Sequence, residues 1–298
     1  MCTHSEGLTR RQVLTTMAAA AAGFAAGPLR LGWAAPPDKK PQKLLFFTKS
    51  AGFQHSVVTR KGDKLAHAEQ VLVDLGKKHG IDVTASKDGR LFTEEGLAPF
   101  DAIMFYTTGD LTKPGTDKSP PMPAEGKQAL LNAVAGGKGF LGSHCASDTF
   151  HSGAKVDPYI ALVGGEFTGH GAQQKAHIRV ADTSFPGAKD LKDFEMVEEW
   201  YALKNFAPDM RVILVQETKG MNGKMYQQGA YPETWARNHG KGRVFYTSMG
   251  HREDVWTNET FQQILLGGLA WTLKNMEADL EPNLRTVTPD AIGRVAAV

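Results

Sequence analysis

Histidines supply the chemistry this sequence most readily offers. His55 closes the stretch Ser50-Ala51-Gly52-Phe53-Gln54, His144 follows Gly139-Phe140-Leu141-Gly142-Ser143, and His251 follows Val244-Phe245-Tyr246-Thr247-Ser248-Met249-Gly250. A fourth, His170, ends the glycine-rich run Gly164-Gly165-Glu166-Phe167-Thr168-Gly169. Imidazole titrates near neutrality and ligates transition metals, so such a set suits acid–base work or metal binding. Carboxylates stand close by in sequence: Asp148 lies four residues after His144, and Glu198-Glu199 precede Trp200-Tyr201. Extended neighbours point to opposite faces, so one of Glu198 and Glu199 is expected in a shared pocket. His67 and His79 fall on or at the end of a helical pattern and read as surface residues.

Cys145 offers a different chemistry. The segment Gly142-Ser143-His144-Cys145-Ala146 resembles a nucleophile elbow, a strained strand-to-helix turn that exposes one side chain. His144 takes the central place of that elbow and Cys145 falls one residue late. This register turns the sulfur into the packing behind the elbow, where Cys145 serves as a small hydrophobe. The competing assignment is a Cys145–His251–Glu253 triad for a cysteine-dependent amidotransferase or hydrolase, since His251-Arg252-Glu253 has the spacing of a base and its orienting acid.

The elements that must position these residues alternate between strand and helix. Leu44-Leu45-Phe46-Phe47 is a continuous apolar run suited to a strand buried on both faces, and residues 81–84, 101–107 and 140–142 follow as strands. Leu65, Ala68, Val71, Leu72 and Leu75 keep helical spacing and end at Gly76 and Gly80; residues 124–135 form a second helix closed by Gly136-Gly137. Later strands are predicted over 177–181, 211–216 and 243–247. A last helix carries Phe261, Ile264, Leu265, Leu269 and Leu273 on one face. The pattern predicts an α/β sandwich, flavodoxin-like in class, with a mostly parallel central sheet and an antiparallel elaboration within residues 155–240. In such sheets ligands gather at the carboxyl ends of the strands. His55, His144 and His251 all fall at those ends.

The composition suits a packed globular body: 298 residues, 41% apolar and 22% charged, which excludes a disordered or collagen-like chain. With 34 basic against 32 acidic residues there is no electrostatic case for nucleic acid. The N-terminus reads as an export address. Arg10-Arg11-Gln12-Val13-Leu14 precedes an alanine-rich apolar run from Met17 to Ala26 and the small-residue site Gly32-Trp33-Ala34, the layout of a cleavable signal over residues 1–35. The paired arginines resemble a twin-arginine signal, which implies a periplasmic or otherwise exported protein. The run is shorter than the roughly 20 residues a span requires, so no stable membrane span is expected after cleavage. Cleavage removes Cys2, leaves Cys145 without a disulfide partner and balances the charge. Residues 36–42 form a proline-rich linker, residues 43–276 the domain and residues 277–298 a C-terminal tail.

Several blocks together resemble the ThuA-like (trehalose-utilization) family: His55 in its loop, Gly142-Ser143-His144, Gly164 to His170, Glu198-Glu199-Trp200-Tyr201, and Trp235 with Gly240 to His251. The resemblance runs from about Lys43 to Asn275. It implies a class I glutamine amidotransferase-like fold whose nucleophilic cysteine has been replaced. It also implies a role in disaccharide use, notably of trehalose and its 3-keto derivatives, with a sugar oxidoreductase in the same pathway.

By the same resemblance, the pocket holds His55, His144, His170, Glu199 and His251, with Asp148, Glu198 and Tyr201 nearby. Where the family block reads Asp-Glu-x-Tyr, this chain has Glu198, whose longer side chain is expected to shift a ligand contact.

Two roles fit these residues. In one, a divalent metal is held by His55, His144, His170 and His251, or by some of them with Glu199. In the other, Glu199 with His144 or His251 works as a metal-free acid–base pair on a keto-sugar or glycosidic bond. His55, Asp148, His170, Tyr201 and Trp235 would contact the saccharide, with Trp200, Trp235 and Tyr246 able either to stack on a sugar ring or to fill the core. The competing class is a non-catalytic sugar-binding module on a fold that has lost its nucleophile. No CxxC pair, Walker A loop or G-x-G-x-x-G motif supports a zinc-ribbon, nucleotide or dinucleotide reading.

Overall fold

The computed structural model describes residues 40–296; the predicted signal over 1–35 and residues 36–39 of the linker lie outside the described residues. The chain runs through β1 (Gln42–Phe47), α1 (His67–His79), β2 (Ile81–Ser86), α2 (Glu94–Leu97), β3 (Ala102–Phe105), α3 (Gly126–Ala135) and β4 (Gly139–Ser143). Next come α4 (Pro158–Val163), β5 (Glu166–His170), β6 (Gln174–Val180), β7 (Phe194–Glu198), β8 (Tyr201–Lys204), β9 (Arg211–Glu217), β10 (Tyr231–His239) and β11 (Gly242–Thr247). Helices α5 (Glu253–Trp256), α6 (Glu259–Thr272) and α7 (Leu284–Val287) follow.

Nine strands form one sheet in the order β2-β1-β3-β4-β11-β10-β9-β6-β7. From β2 to β11 the neighbours pair in parallel; from β11 through β10 to β7 they pair antiparallel. This is the α/β sandwich expected from the sequence, with the antiparallel elaboration placed on one side of the parallel half. Strands β5 and β8 form a separate two-stranded ribbon.

The apolar run of β1 shows why the core has two layers. Phe46 meets Trp256 on α5, whereas its neighbour Phe47 packs edge-on against Phe92 and beside Phe105. Successive side chains leave a strand on opposite faces, so a strand covered on both sides must be apolar throughout. Helix α1 buries Ala68, Leu72 and Leu75 and stops at Gly80, whose left-handed φ of 71° lets its N–H reach the Gly76 carbonyl. Helix α6 approaches the sheet through Gly268, where a Cβ would stand 2.6 Å from the Phe245 ring.

Residues 277–296 pack onto the antiparallel half. Asn283 exchanges hydrogen bonds with the backbone of Val212, and Leu284 and Ala291 are buried.

Candidate functional site

Three strand ends and one strand corner bring the site together. His55 lies in the loop after β1, His144 directly after β4, His251 four residues after β11, and Glu199 between β7 and β8. Strands β4 and β11 are parallel neighbours, so their carboxyl ends deliver His144 and His251 to the same place. His144 has φ +46°, a strained backbone for a non-glycine residue, at the central position of the elbow.

His55, His144, Glu199 and His251 each offer one donor atom, and these atoms lie within 4.8 Å of one another. Glu199 Oε2 stands 3.0 Å from His251 Nδ1 and 3.5 Å from His144 Nε2, and the two ring nitrogens are 3.3 Å apart. Metal bonds of about 2.0–2.1 Å at tetrahedral angles separate neighbouring donors by about 3.3 Å, so these spacings fit a divalent ion.

The surroundings fit one as well. His144 Nδ1 lies 2.8 Å from the Ser248 carbonyl; donating a proton there leaves the Nε2 lone pair facing the cluster. His55 Nδ1 is buried with no hydrogen-bond partner. Burial, helped by the other imidazoles, pushes the His55 pKa down to about 2, and burial also lowers that of His144. Both rings are therefore held neutral, the form that ligates.

His251 and Glu199 behave differently. Burial acts to lower the His251 pKa, but Glu199 beside it outweighs that and the net shift is upward. Burial acts to raise the Glu199 pKa, and the two histidines outweigh it to hold the carboxyl well below its usual range.

Two buried carboxylates brace this group from behind. Glu198 accepts hydrogen bonds from the backbone N–H groups of Gly250 and His251. It therefore fixes the chain that carries His251 and does not enter the pocket, so the ligand contact expected of it is replaced by a bracing role. Burial raises its pKa to about 8. Glu233 on β10 accepts from Ser248 Oγ at 3.0 Å, Met249 N at 3.1 Å and Thr247 Oγ1 at 3.1 Å. These bonds hold the segment whose Ser248 carbonyl faces His144. Nothing in the local sequence pattern around Glu233 singled it out, because its partners come from the following strand.

The remaining expected residues divide. Tyr201 is buried with its ring 4.0 Å from that of His144 and forms a wall of the site. His170 stands outside the four-residue group but meets the other oxygen of Glu199, with Nδ1 3.3 Å from Oε1. Asp148 is drawn away, bonding His151 Nε2 at 2.7 Å in a second cluster with Glu166.

Trp235 is fully buried, donates Nε1–H to the Val163 carbonyl and stacks on Tyr246 at 4.3 Å. Gly165 makes room for it, since a Cβ there would stand 2.8 Å from the indole. Trp235, Trp200 and Tyr246 are thus core residues and offer no face to a sugar. Cys145 is also fully buried, and burial pushes its thiol pKa far up. Glu253, the acid of the alternative triad, bonds Ser56 Oγ and leaves His251 to Glu199.

A sheet that is parallel from β2 to β11, with a strained turn after β4, makes an α/β sandwich that carries histidine at the elbow. The family model described as ThuA, trehalose utilisation, matches residues 43–272, and the chain belongs to that family. A ThuA-like protein from Bacteroides uniformis superposes with a TM-score of 0.61 at 19% identity, covering 80% of this chain and 94% of that one. One from Parabacteroides merdae gives a TM-score of 0.59 at 16% identity, with 80% and 92% covered. At such identities the likeness concerns the fold. No curated protein matches the chain.

Proposed function

We propose that this protein acts on a saccharide of the trehalose or 3-keto-disaccharide type through the pocket of His55, His144, Glu199 and His251, with a divalent metal held by those four residues. The observation that carries the reading is the convergence of four donor atoms within 4.8 Å at the carboxyl ends of the strands. The family description, trehalose utilisation, supports the substrate class. A bound divalent ion supplies a Lewis acid that polarises a sugar carbonyl or activates water.

The protein's own groups do the rest. Ser248 and Glu233 orient His144, Glu198 orients His251, and Tyr201 closes the wall beside His144. His170, 42% exposed at its side chain and with Nδ1 3.3 Å from Glu199 Oε1, would pass a proton at Nε2 to or from a sugar hydroxyl. The reaction class is hydrolysis or isomerisation of the sugar. Export to the periplasm belongs to the same proposal and rests on the Arg10-Arg11 segment; among the described residues no helix is long and apolar enough to cross a membrane.

Elemental analysis of the purified protein, joined to assays on trehalose and 3-keto-trehalose, tests the reading. Stoichiometric metal with turnover supports it. Binding of sugar without metal or turnover would instead identify a non-catalytic sugar-binding module.

A further inference from the structure

The loop that carries His55 also carries the most exposed large apolar side chain among the described residues. Phe53 is 68% exposed, whereas almost every other aromatic ring among the described residues is buried. It is not a loosely held surface residue. Thr108 Oγ1 donates to the Phe53 carbonyl at 2.8 Å and accepts from the Gly52 N–H at 3.2 Å, which pins the backbone on both sides. The ring stands edge-to-face with His55, centroids 4.9 Å apart and planes at 86°. His55 in turn lies 5.0 Å from the His144 ring and 5.2 Å from that of His251. Phe53 is therefore one ring's width outward from the donor cluster, pinned and open to solvent.

A phenyl ring left in water keeps burial free energy that a stacked partner would recover, and this one is held fixed beside the pocket. The face of an aromatic ring suits the apolar C–H face of a pyranose, and the neighbouring imidazoles and carboxylates suit its hydroxyls.

We propose that Phe53 is the platform for the second sugar ring of a disaccharide whose first ring lies against His55, His144, Glu199 and His251. The inference rests on the saccharide reading above and adds a specificity determinant to it. A ring stacked on Phe53 is displaced from the cluster by the width of one imidazole, as adjoining rings of a disaccharide are displaced from each other. A monosaccharide at the cluster would leave Phe53 bare. The chain therefore selects disaccharides over their monosaccharide halves through this residue.

Calorimetric titration of trehalose, 3-keto-trehalose and glucose into the wild type, Phe53→Ala and Phe53→Tyr provides the test. Phe53→Ala should weaken binding of the better disaccharide about tenfold and leave glucose binding unchanged, with Phe53→Tyr restoring it. Equal weakening of disaccharide and glucose, or no change in either, overturns the platform while the saccharide reading stands. If the wild type binds none of the three sugars, both the platform and the saccharide reading fall. Metal content and circular dichroism of Phe53→Ala, expected to match the wild type, separate a lost contact from a lost fold.

Discussion

His144 Nε2 and His251 Nδ1 stand 3.3 Å apart at the ends of two adjacent parallel strands, with one oxygen of Glu199 within 3.5 Å of both. Two imidazoles at this distance share either a proton or a metal ion. The tautomer of His144 set by Ser248 leaves a lone pair for the second. The double substitution His144→Ala with His251→Ala is expected to abolish stoichiometric metal, read by elemental analysis after exhaustive dialysis. Retention of the metal in that variant would place it elsewhere.

Metal binding should also depend on pH in a defined direction. The raised pKa of His251 means that an incoming ion displaces a proton from it. Affinity is expected to fall as pH drops through that pKa, and the fall should be shallower in His251→Gln. A chelator competition series across pH checks this.

Glu233 is expected to act on the site without touching it. Glu233→Ala leaves four donors, the hydroxyls of Thr234, Thr247 and Ser248 and the Met249 N–H, without their acceptor and should cost on the order of 3 kcal/mol in denaturant unfolding. In folded protein it should weaken metal retention by about 10–100-fold. Burial raises the Glu233 pKa, so its contribution to stability is complete below the unfolded value of about 4.3 and is lost as pH rises through the folded value. Glu233→Gln reproduces the protonated state and should flatten that slope. An unchanged slope in the difference between wild type and variant would count against the assignment.

Cys145 should be inert in the native protein. A thiol reagent is expected to modify it upon unfolding and not before, because the side chain is fully buried and its pKa is pushed up by burial. Cys145→Ala should cost roughly 1 kcal/mol of stability and leave metal and sugar binding intact. Loss of either would revive a thiol mechanism.

The parallel half of the fold was legible in the sequence because its strands are apolar on both faces, as in Leu44 to Phe47, and its helices carry one clear stripe. The antiparallel strands were harder. Phe194 to Glu198 alternates covered and exposed positions at the edge of the sheet, and Glu166 to His170 lies within the glycine-rich run that begins at Gly164; both patterns also read as loop. The histidines were legible as strand-end residues. Which of His170 and Glu199 completes the inner group stayed open in the sequence, since it depends on how the β5–β8 ribbon stands against the elbow. Trp235 was misleading for a related reason. An indole looks the same in sequence whether it faces a ligand or fills the space above Gly164-Gly165, and the paired glycines were the signal for the second. Phe53 went unnoticed because a lone aromatic in a loop carries no periodicity.

The donors of the candidate site are drawn from the first strand of the chain, from its middle, and from the loop after its last strand. β4 and β11, which present two of them side by side, are separated by about a hundred intervening residues of sequence. Such pairing closes late, after the long loop between the strands has been ordered. A nascent or truncated chain ending before β11 would lack His251 and the Ser248 carbonyl that faces His144. An ion bound to all four residues would therefore recognise a finished polypeptide and withdraw it from the unfolded population. Loading of the proposed ion would thus double as a check on completed folding, a useful property for a chain whose proposed export route carries proteins already folded.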